Sequence, residues 1–207
     1  MPRAFTATLC TALFTLLAPS DFASAGILSG VPSLSNPIVN PANGHTYTLL
    51  AASSWTEAQA EAESWGSNLA TVNDQAENDW IVNTFGNFNN IDRNLWIGLS
   101  DATSEGTFTW ADGSPVGFTH WAAGDPNGLP GASNIEEDFV FMWKANVQNL
   151  PSSRLVGTWN DTNNMADLPT GDADLITGVF GVVETVPEPT SVALVACGGL
   201  MLIRRRR

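Results

Sequence analysis

The hydrophobic positions of this sequence repeat with a helical period in one region and with a period of two after it. In SSWTEAQAEAESWG the apolar residues share one helical face: Trp55, Ala58, Ala62 and Trp65. Ser54 with Glu57 three residues later forms a capping box at the start of this helix, and Gly66 ends it. In NDQAENDWIVNTFG, Asn73 is the expected cap of a second helix, which stops before Gly86. Its inward pairs, four residues apart, are Ala76 with Trp80 and Ile81 with Phe85.

Short apolar or alternating runs predict strands on both sides of the helices. Residues 46–50 form the first, and the later runs are LWIGLSD, TFTWADG, VGFTHW, DFVFMW and VFGVVE. Two helices followed by many short strands is an α+β arrangement. Long irregular loops are expected at residues 122–136 and 144–175, and loops of this length usually serve a function or are disordered.

The N-terminus has the three parts of an export signal. Met1-Pro2-Arg3 is a short basic region, residues 4–18 are apolar, and Ala23-Ser24-Ala25 is a small-residue cleavage site. We therefore expect residues 1–25 to be a signal peptide and residues 26–43, rich in Ser, Pro, Gly and Asn, to be a leader segment. The alternative is a buried N-terminal helix.

The C-terminus, VPEPTSVALVACGGLMLIRRRR, combines a Pro-Glu-Pro motif, an apolar segment and four arginines. The apolar segment is shorter than the roughly 20 residues that a bilayer-spanning helix needs. Residues 186–207 resemble the PEP-CTERM sorting signal of Gram-negative and related bacteria. That resemblance implies recognition and removal of the tail by an exosortase-type membrane enzyme, and therefore display at the cell surface or release into the extracellular matrix. A permanent weak anchor is the alternative.

The charge of the chain restricts its partners. The formal net charge is −13, and five of the eight basic residues, Arg3 and Arg204 to Arg207, lie in the two segments expected to be removed. So acidic a chain repels nucleic acid and anionic membranes and favours cations or neutral ligands. The two cysteines, Cys10 and Cys197, also lie in those segments. An exported domain without disulfides depends on its core or on a metal.

Carboxylates and amides recur in the predicted loops. Asp125 and Asn127 flank Pro126, where the sequence is equally suited to a simple turn. An X-Pro bond also permits a cis peptide, which would direct both residues to one side. With Glu137, and with Asn160 and Asp161 from the stretch WND, these residues offer three carboxylates and two amide oxygens. Calcium takes 6–8 oxygen ligands of these kinds.

Five stretches in one order resemble the C-type lectin-like domain. They are SWTEAQAEAESWGSNLATVNDQAENDWIVNTF, LWIGLSD, FTWADGSPVGFTHWAAGDPNG, EEDFVFM and GTWND. The resemblance covers residues 44–185. It implies two helices packed on short antiparallel sheets, with a long ligand-binding loop.

In that family a loop calcium ion binds the sugar directly. The resemblance implies five calcium ligands, Asp125, Asn127, Glu137, Asn160 and Asp161, of which the first four also hydrogen-bond the sugar. It implies a possible second calcium site at Asp101, Glu105 and Asp138, shared with Glu137. The family usually has a further acid for that site where this chain has Gly128. The acid-then-amide order of Asp125 and Asn127 matches mannose-type ligands.

The chain also departs from the family pattern. Asp125 replaces a residue one methylene longer, usually Glu or Gln. The family's disulfides are absent, and the corresponding positions are Ala62, Phe139, Val183 and, less clearly, Asn164. Small or apolar residues at three of these positions indicate that packing has replaced the bridges.

The predicted function is calcium-dependent carbohydrate binding by an exported, non-catalytic protein, with a glycan or exopolysaccharide as partner. The alternative is a protein-binding or adhesion domain in which calcium is structural or absent. The carboxylates of Asp125 and Glu137 could form an acid pair, but no nucleophile with an adjacent base accompanies them. Asp101 also suits a turn. His120 is expected to pack beside Trp121, and His45 is too distant in sequence to indicate a histidine metal site.

Overall fold

The fold is known from a computed structural model that describes residues 30–128, 136–144, 155–164 and 178–187. The helices are α1 (Trp55–Ser64) and α2 (Gln75–Phe85), followed by a 3₁₀ turn at Phe88–Asn90. The strands are β1 (Ile38–Val39), β2 (Thr46–Ala52), β3 (Asn68–Leu69), β4 (Asn94–Ser100), β5 (Thr109–Trp110), β6 (Phe139–Met142), β7 (Trp159–Thr162) and β8 (Val179–Thr185). The predicted signal peptide and the tail from residue 188 onward lie outside the described residues.

The strands of the described residues form one sheet in the order β1-β2-β8-β4-β6-β7, with β3 also paired to β8 and β5 to β4. The pairs are antiparallel except β4 with β8, which is parallel. Strands β2 and β8 pair from Thr46 with Thr185 to Ala52 with Phe180, so the two ends of the domain lie side by side. The predicted α+β fold, with two helices packed on a sheet, is confirmed.

Helix α1 forms where the sequence predicts it, with one exception on its inner face. The Ser54 hydroxyl accepts a hydrogen bond from the Glu57 amide at 3.3 Å, and the Glu57 carboxylate accepts one from the Ser54 amide at 3.0 Å. The predicted capping box is therefore confirmed. Trp65, however, is 43 % exposed. Its predicted inward position is wrong because the helix ends at Ser64 and Trp65 is already its C-cap.

Helix α2 begins one residue later than predicted, and of its predicted inward residues Ile81 and Phe85 are buried whereas Ala76 is not. Its N-cap is Asp74, whose carboxylate accepts the Glu77 amide N–H at 2.9 Å, so the assignment of Asn73 is wrong. Asn73 instead donates to the Glu77 carboxylate. Ala76 is exposed, contrary to prediction, because the buried face carries the polar residues Glu77 and Asn78 beside Ile81 and Phe85.

Two of the predicted strands are corrected by the structure. VGFTHW forms no strand; Trp121 alone makes an isolated bridge, to Trp159. The run TFTWADG is a strand only over Thr109–Trp110. Conversely, Trp159–Thr162 is strand β7, inside the range expected to be an irregular loop. This strand pairs with β6 and so carries the WND residues onto the sheet.

The core fills the positions where the resemblance would put cysteines. Ala62, Phe139 and Val183 are buried in one hydrophobic cluster. Asn164 accepts a hydrogen bond from the Thr56 amide at 3.0 Å and donates to the Thr56 hydroxyl at 2.8 Å. Apolar packing thus replaces a disulfide at three of the four positions, and hydrogen bonds hold the fourth residue, Asn164. No helix in the described part of the chain is long and apolar enough to cross a membrane.

Candidate ligand-binding loop

Strand β7 is hydrogen-bonded to the chain just before residues 122–128, the segment around Pro126 that we call the Pro126 loop. The Trp159 amide donates to the His120 carbonyl at 2.8 Å, and the Ala122 amide donates to the Trp159 carbonyl at 2.8 Å. The Trp159 ring is fully buried and its indole N–H donates to Asn78 Oδ1 at 2.8 Å. The rings of Trp110, Phe118 and Trp121 pack edge-on around it. These contacts fix the loop beside Asn160 and Asp161.

The Asp161 carboxylate binds the loop directly. The Asp125–Pro126 peptide is cis, as the sequence allows. Beyond it, the Asn127 amide N–H donates to Asp161 Oδ2 at 2.9 Å, and the Gly128 amide donates to the same oxygen at 2.9 Å. The Asn127 side-chain amide donates to Asp125 Oδ1 at 2.5 Å. Asp125, Asn127 and Asp161 are thus joined by hydrogen bonds.

Gly128 allows Glu137 to approach the same place. A Cβ atom at position 128 would lie 2.5 Å from Glu137 Cβ and 3.2 Å from Asp161 Oδ2. The side chain that the family usually has here would therefore collide with the residues it is meant to accompany. A side chain at position 128 would therefore require the loop or the segment before β6 to move.

The carboxylates of Asp125, Glu137 and Asp161 are close enough for their charges to affect the pKa of Glu137. The pKa of Glu137 is raised, first by burial and then by the negative charges of Asp161 and Asp125. Asn160 is half-buried beside Asp161 in β7, and its side-chain amide donates to the Asp161 carbonyl at 2.5 Å. The five residues proposed from the sequence therefore lie in one region, contributed by the loop, the segment before β6, and β7.

A second acidic group lies where β4 ends. The Asp101 amide donates to the Asp138 carbonyl at 3.1 Å, and Asp101 Oδ2 accepts the Gly106 amide at 2.8 Å. Asp101 also makes a turn, since its carbonyl accepts the Ser104 amide at 2.8 Å. Its other carboxylate oxygen, Oδ1, is buried and has no hydrogen-bond partner among the described residues.

The electrostatics of this second group resemble those of the first. Burial raises the pKa of Asp101, and the charge of Asp161 adds to it. Burial raises the pKa of Asp138, and the charges of Glu136 and Asp101 raise it further. Glu105 is exposed, and its raised pKa reflects slight desolvation followed by the charges of Asp101 and Asp138. The two acidic groups are electrostatically coupled through Asp161.

The two histidines have different surroundings. His120 is half-buried and stacks on Phe118, with ring centroids 6.2 Å apart. His45 lies with Glu77 and Glu184 in a group whose ligand atoms are all within 4.8 Å of one another. Sequence reasoning missed this group because its members are far apart along the chain. The burial of Glu77 on α2 is a tertiary feature that no local pattern signals.

The described residues form an α+β fold in which the oxygens of Asp125, Glu137 and Asp161 lie close together beside strand β7. A family model, the lectin C-type domain, matches residues 51–165. The chain therefore belongs to the C-type lectin domain family.

Individual relatives agree with this assignment. The chain is 32 % identical to C-type mannose receptor 2 of Mus musculus over 135 residues, which are 65 % of this chain and 8 % of the receptor. It is 30 % identical to hepatic lectin of Gallus gallus over 117 residues, 56 % of this chain and 47 % of that protein. Among solved structures, the C-type lectin CEL-I of Cucumaria echinata superposes with a TM-score of 0.50 at 27 % identity, covering 70 % of this chain and 91 % of CEL-I. The chain thus spans less than half the length of these curated relatives.

Proposed function

We propose that the protein is an exported lectin that binds carbohydrate through a calcium ion in the Pro126 loop, without catalysing a reaction. The observation that carries the proposal is the Asp161 carboxylate, which accepts hydrogen bonds from the backbone amides of Asn127 and Gly128; burial, and after it the charge of Asp161, raises the pKa of Glu137. Oxygen donors from three separate chain segments therefore converge where a cation would relieve their mutual repulsion.

The proposed calcium ligands are the carboxylates and amide oxygens of the loop site: Asp125, Asn127, Glu137, Asn160 and Asp161. The donor set suits calcium, which is a hard cation with oxygen ligands. The side-chain amides of Asn127 and Asn160 both donate their N–H groups within the site. Each planar amide therefore keeps its oxygen for a cation or a sugar hydroxyl.

A pair of vicinal sugar hydroxyls is the proposed ligand group. Asp125, Asn127, Glu137 and Asn160 would each bond the sugar as well as the ion. Asn127 is exposed and Asp125 and Glu137 are half-buried, so a ligand can reach them. The order of acid and amide in the Pro126 motif favours a mannose-type sugar, in a glycan or exopolysaccharide.

A second calcium ion is proposed at Asp101, Glu105, Glu137 and Asp138. The buried Asp101 oxygen without a partner supports this site, because a buried carboxylate oxygen normally has a donor or a cation. Glycine at position 128 removes one ligand that the family usually supplies. Since the charge of Asp161 acts on both groups, an ion bound at one group would reduce the negative charge that attracts an ion to the other, and we expect the second ion to bind more weakly than the first.

Export and sorting complete the proposal. Residues 1–25 would direct secretion, and residues 186–207 would be removed by an exosortase-type enzyme, with the membrane involved only in transit. The protein would then remain at the surface or in the extracellular matrix of a Gram-negative-type bacterium. Detection of the mature C-terminus by mass spectrometry tests this; a C-terminus at Arg207 in the mature protein would support a retained anchor.

Retention on immobilised mannan and galactan, with and without calcium chelator, tests the lectin proposal. Selective, chelator-sensitive retention is the expected result. Asp161→Asn removes a ligand charge and is expected to lower calcium affinity roughly 100-fold. Asp79→Asn, an exposed acid on α2, removes the same charge and leaves the affinity unchanged. Calcium-independent binding to a protein, with no retention on glycans, would support the adhesion alternative.

A further inference from the structure

We propose that His45, Glu77 and Glu184 form a separate site for a divalent first-row transition-metal ion such as Zn²⁺. The three residues come from the position before β2, from the first turn of α2, and from β8. One ligand atom from each lies within 4.8 Å of the others. No residue of this site belongs to the loop site, so the inference stands independently of the lectin proposal.

The ligand atoms are close to the spacing that a metal ion requires. His45 Nδ1 lies 2.5 Å from Glu184 Oε1, and the Tyr47 hydroxyl donates to the same oxygen at 3.0 Å. The Tyr47 hydroxyl also contacts Glu77 Oε1. Tetrahedral coordination with bonds of about 2.0–2.2 Å places ligand atoms roughly 3.3 Å apart. Small side-chain rotations would therefore replace the shared hydrogen bonds by metal–ligand bonds.

The carboxylates of Glu77 and Glu184 are deeply buried, and among the described residues neither of them contacts a lysine or an arginine. Glu77 is 5 % exposed and Glu184 is 7 % exposed. Besides Tyr47 and the His45 ring, the donors to Glu77 are the side chain of Asn43 and the backbone and side-chain amides of Asn73, and the donor to Glu184 is the backbone amide of Thr71. Two buried negative charges at this distance destabilise each other, and a divalent cation compensates both.

Thr71 gives an independent indication of a ligand. Its hydroxyl oxygen is buried and has no hydrogen-bond partner in the described part of the chain. Its amide donates to Glu184 Oε2 at 2.9 Å, and Thr71 and Glu184 line a cavity of about 150 Å³ that His45 and Glu77 do not line. A buried hydroxyl without a partner beside a carboxylate suits a further oxygen ligand or a metal-bound water.

The imidazole determines the class of metal. Calcium and magnesium prefer oxygen ligands alone, whereas imidazole suits zinc, copper, iron and nickel. The His45 side chain is 26 % exposed, so the ion can enter from solvent and find its nitrogen ligand first.

The site would fasten the ends of the domain to one helix. Glu184 follows Val183, which occupies a position where the family has a cysteine, and Glu184 pairs with Tyr47 across β2 and β8. An ion bound here joins β2, α2 and β8, and it stabilises the folded state in proportion to its binding.

The test is a Zn²⁺ titration of the intact chain by calorimetry, in calcium sufficient to fill the loop sites, with Co²⁺ absorption as a second readout. We expect one equivalent of Zn²⁺ to bind and to raise the melting temperature. His45→Asn should weaken binding at least tenfold and abolish the Co²⁺ bands. His120→Asn, the matched control at the only other histidine, should bind like the wild type.

Glu77→Gln separates a ligand role from a structural one. It keeps the size and shape of the side chain but replaces one of the two accepting oxygens by an amide nitrogen, so we expect it to fold with lower stability and to bind Zn²⁺ at least tenfold more weakly. Absence of stoichiometric Zn²⁺ binding to the wild type would overturn the proposal, as would wild-type binding by His45→Asn. Loss of Zn²⁺ binding in Asp161→Asn, with retention in His45→Asn, would assign the ion to the loop site instead.

Discussion

At the scale of single residues, Gly128 and Asp161 control the geometry of the loop site. Asp161 orients the loop by accepting two of its amides, and it does so from a side chain that is almost completely buried. Gly128 lets that loop lie against Glu137. The ligands are therefore held in place by backbone contacts on one side and by a strand on the other, which is how a site keeps its shape before a ligand binds.

Gly128→Ala tests this close approach. The added Cβ would lie 2.5 Å from Glu137 Cβ, so the loop or the segment before β6 has to move. We expect a loss of roughly 1–3 kcal/mol in the free energy of unfolding and a lower calcium affinity. Chemical denaturation and calcium titration measure the two effects.

Gly117→Ala is the matched control, because a Cβ there meets nothing within 4 Å. It should leave both stability and calcium affinity close to the wild type. Equal calcium affinity in Gly128→Ala and Gly117→Ala would show that the contact with Glu137 does not shape the site.

At the scale of elements, the capping box of α1 is a local stabilising device. The pKa of Glu57 is lowered by hydrogen bonds from the Ser54 side chain and then from its amide. Ser54→Ala should cost about 1 kcal/mol at neutral pH, measured by urea unfolding. Ser64→Ala, at the exposed end of the same helix, should cost much less.

The pH dependence of that cost has a definite sign. A carboxyl whose pKa is lowered by folding stabilises the protein above its unfolded pKa, and this contribution is lost as the pH falls through the folded value. Ser54→Ala removes most of the cause of the lowered pKa. The difference in unfolding free energy between wild type and variant should therefore shrink between neutral pH and about pH 3. A difference that grows on acidification would contradict this account of the cap.

Gly98 joins strand β4 to the chain after β3. Its amide donates to the Ala70 carbonyl at 2.8 Å, and an added Cβ would lie 2.6 Å from the Leu69 carbonyl oxygen. The atoms nearest to this Cβ all belong to the backbone of Leu69 and Ala70, so no flexible side chain can move aside. Gly98→Ala should therefore lower the free energy of unfolding by roughly 1–3 kcal/mol, and an unchanged midpoint in denaturant would be inconsistent with this packing.

The sequence predicted correctly those helices and strands that are determined by neighbouring residues along the chain. The capping box of Ser54 and Glu57 and the apolar runs of β4, β6 and β8 indicated their own structures. The buried face of α2 could not be predicted from apolar periodicity, because Glu77 and Asn78 are buried by hydrogen bonds to distant groups.

The loop residues show the same limit for the site. Motif order pointed to the residues that the structure groups together. It gave no sign that Asn160 and Asp161 lie on a strand, because β7 exists only through its pairing with β6. Nor did it indicate the group around His45, whose members meet only in the folded chain.

At the scale of the whole molecule, burial of apolar side chains stabilises the fold, whereas repulsion between acidic side chains destabilises it. Two hydrophobic clusters hold the helices and the sheet together, and apolar packing fills three of the four positions that correspond to the family's cysteines. Acidic side chains collect at one set of loops, where burial and mutual repulsion raise the pKa values of Asp101, Glu137 and Asp138. Cation binding would remove this repulsion, so it should stabilise the whole domain rather than the loop alone.

Thermal melting of the metal-free intact chain, with and without about 5 mM calcium, tests the central claim most directly. With a dissociation constant of about 0.1 mM, typical of weak extracellular sites, calcium would add about 2.3 kcal/mol of stability by mass action. For a domain of this size, that corresponds to an increase of several degrees in melting temperature. The account predicts this increase in the wild type and in Asp79→Asn, and its loss in Asp161→Asn. An unchanged melting temperature, or an equal increase in Asp161→Asn, would contradict it.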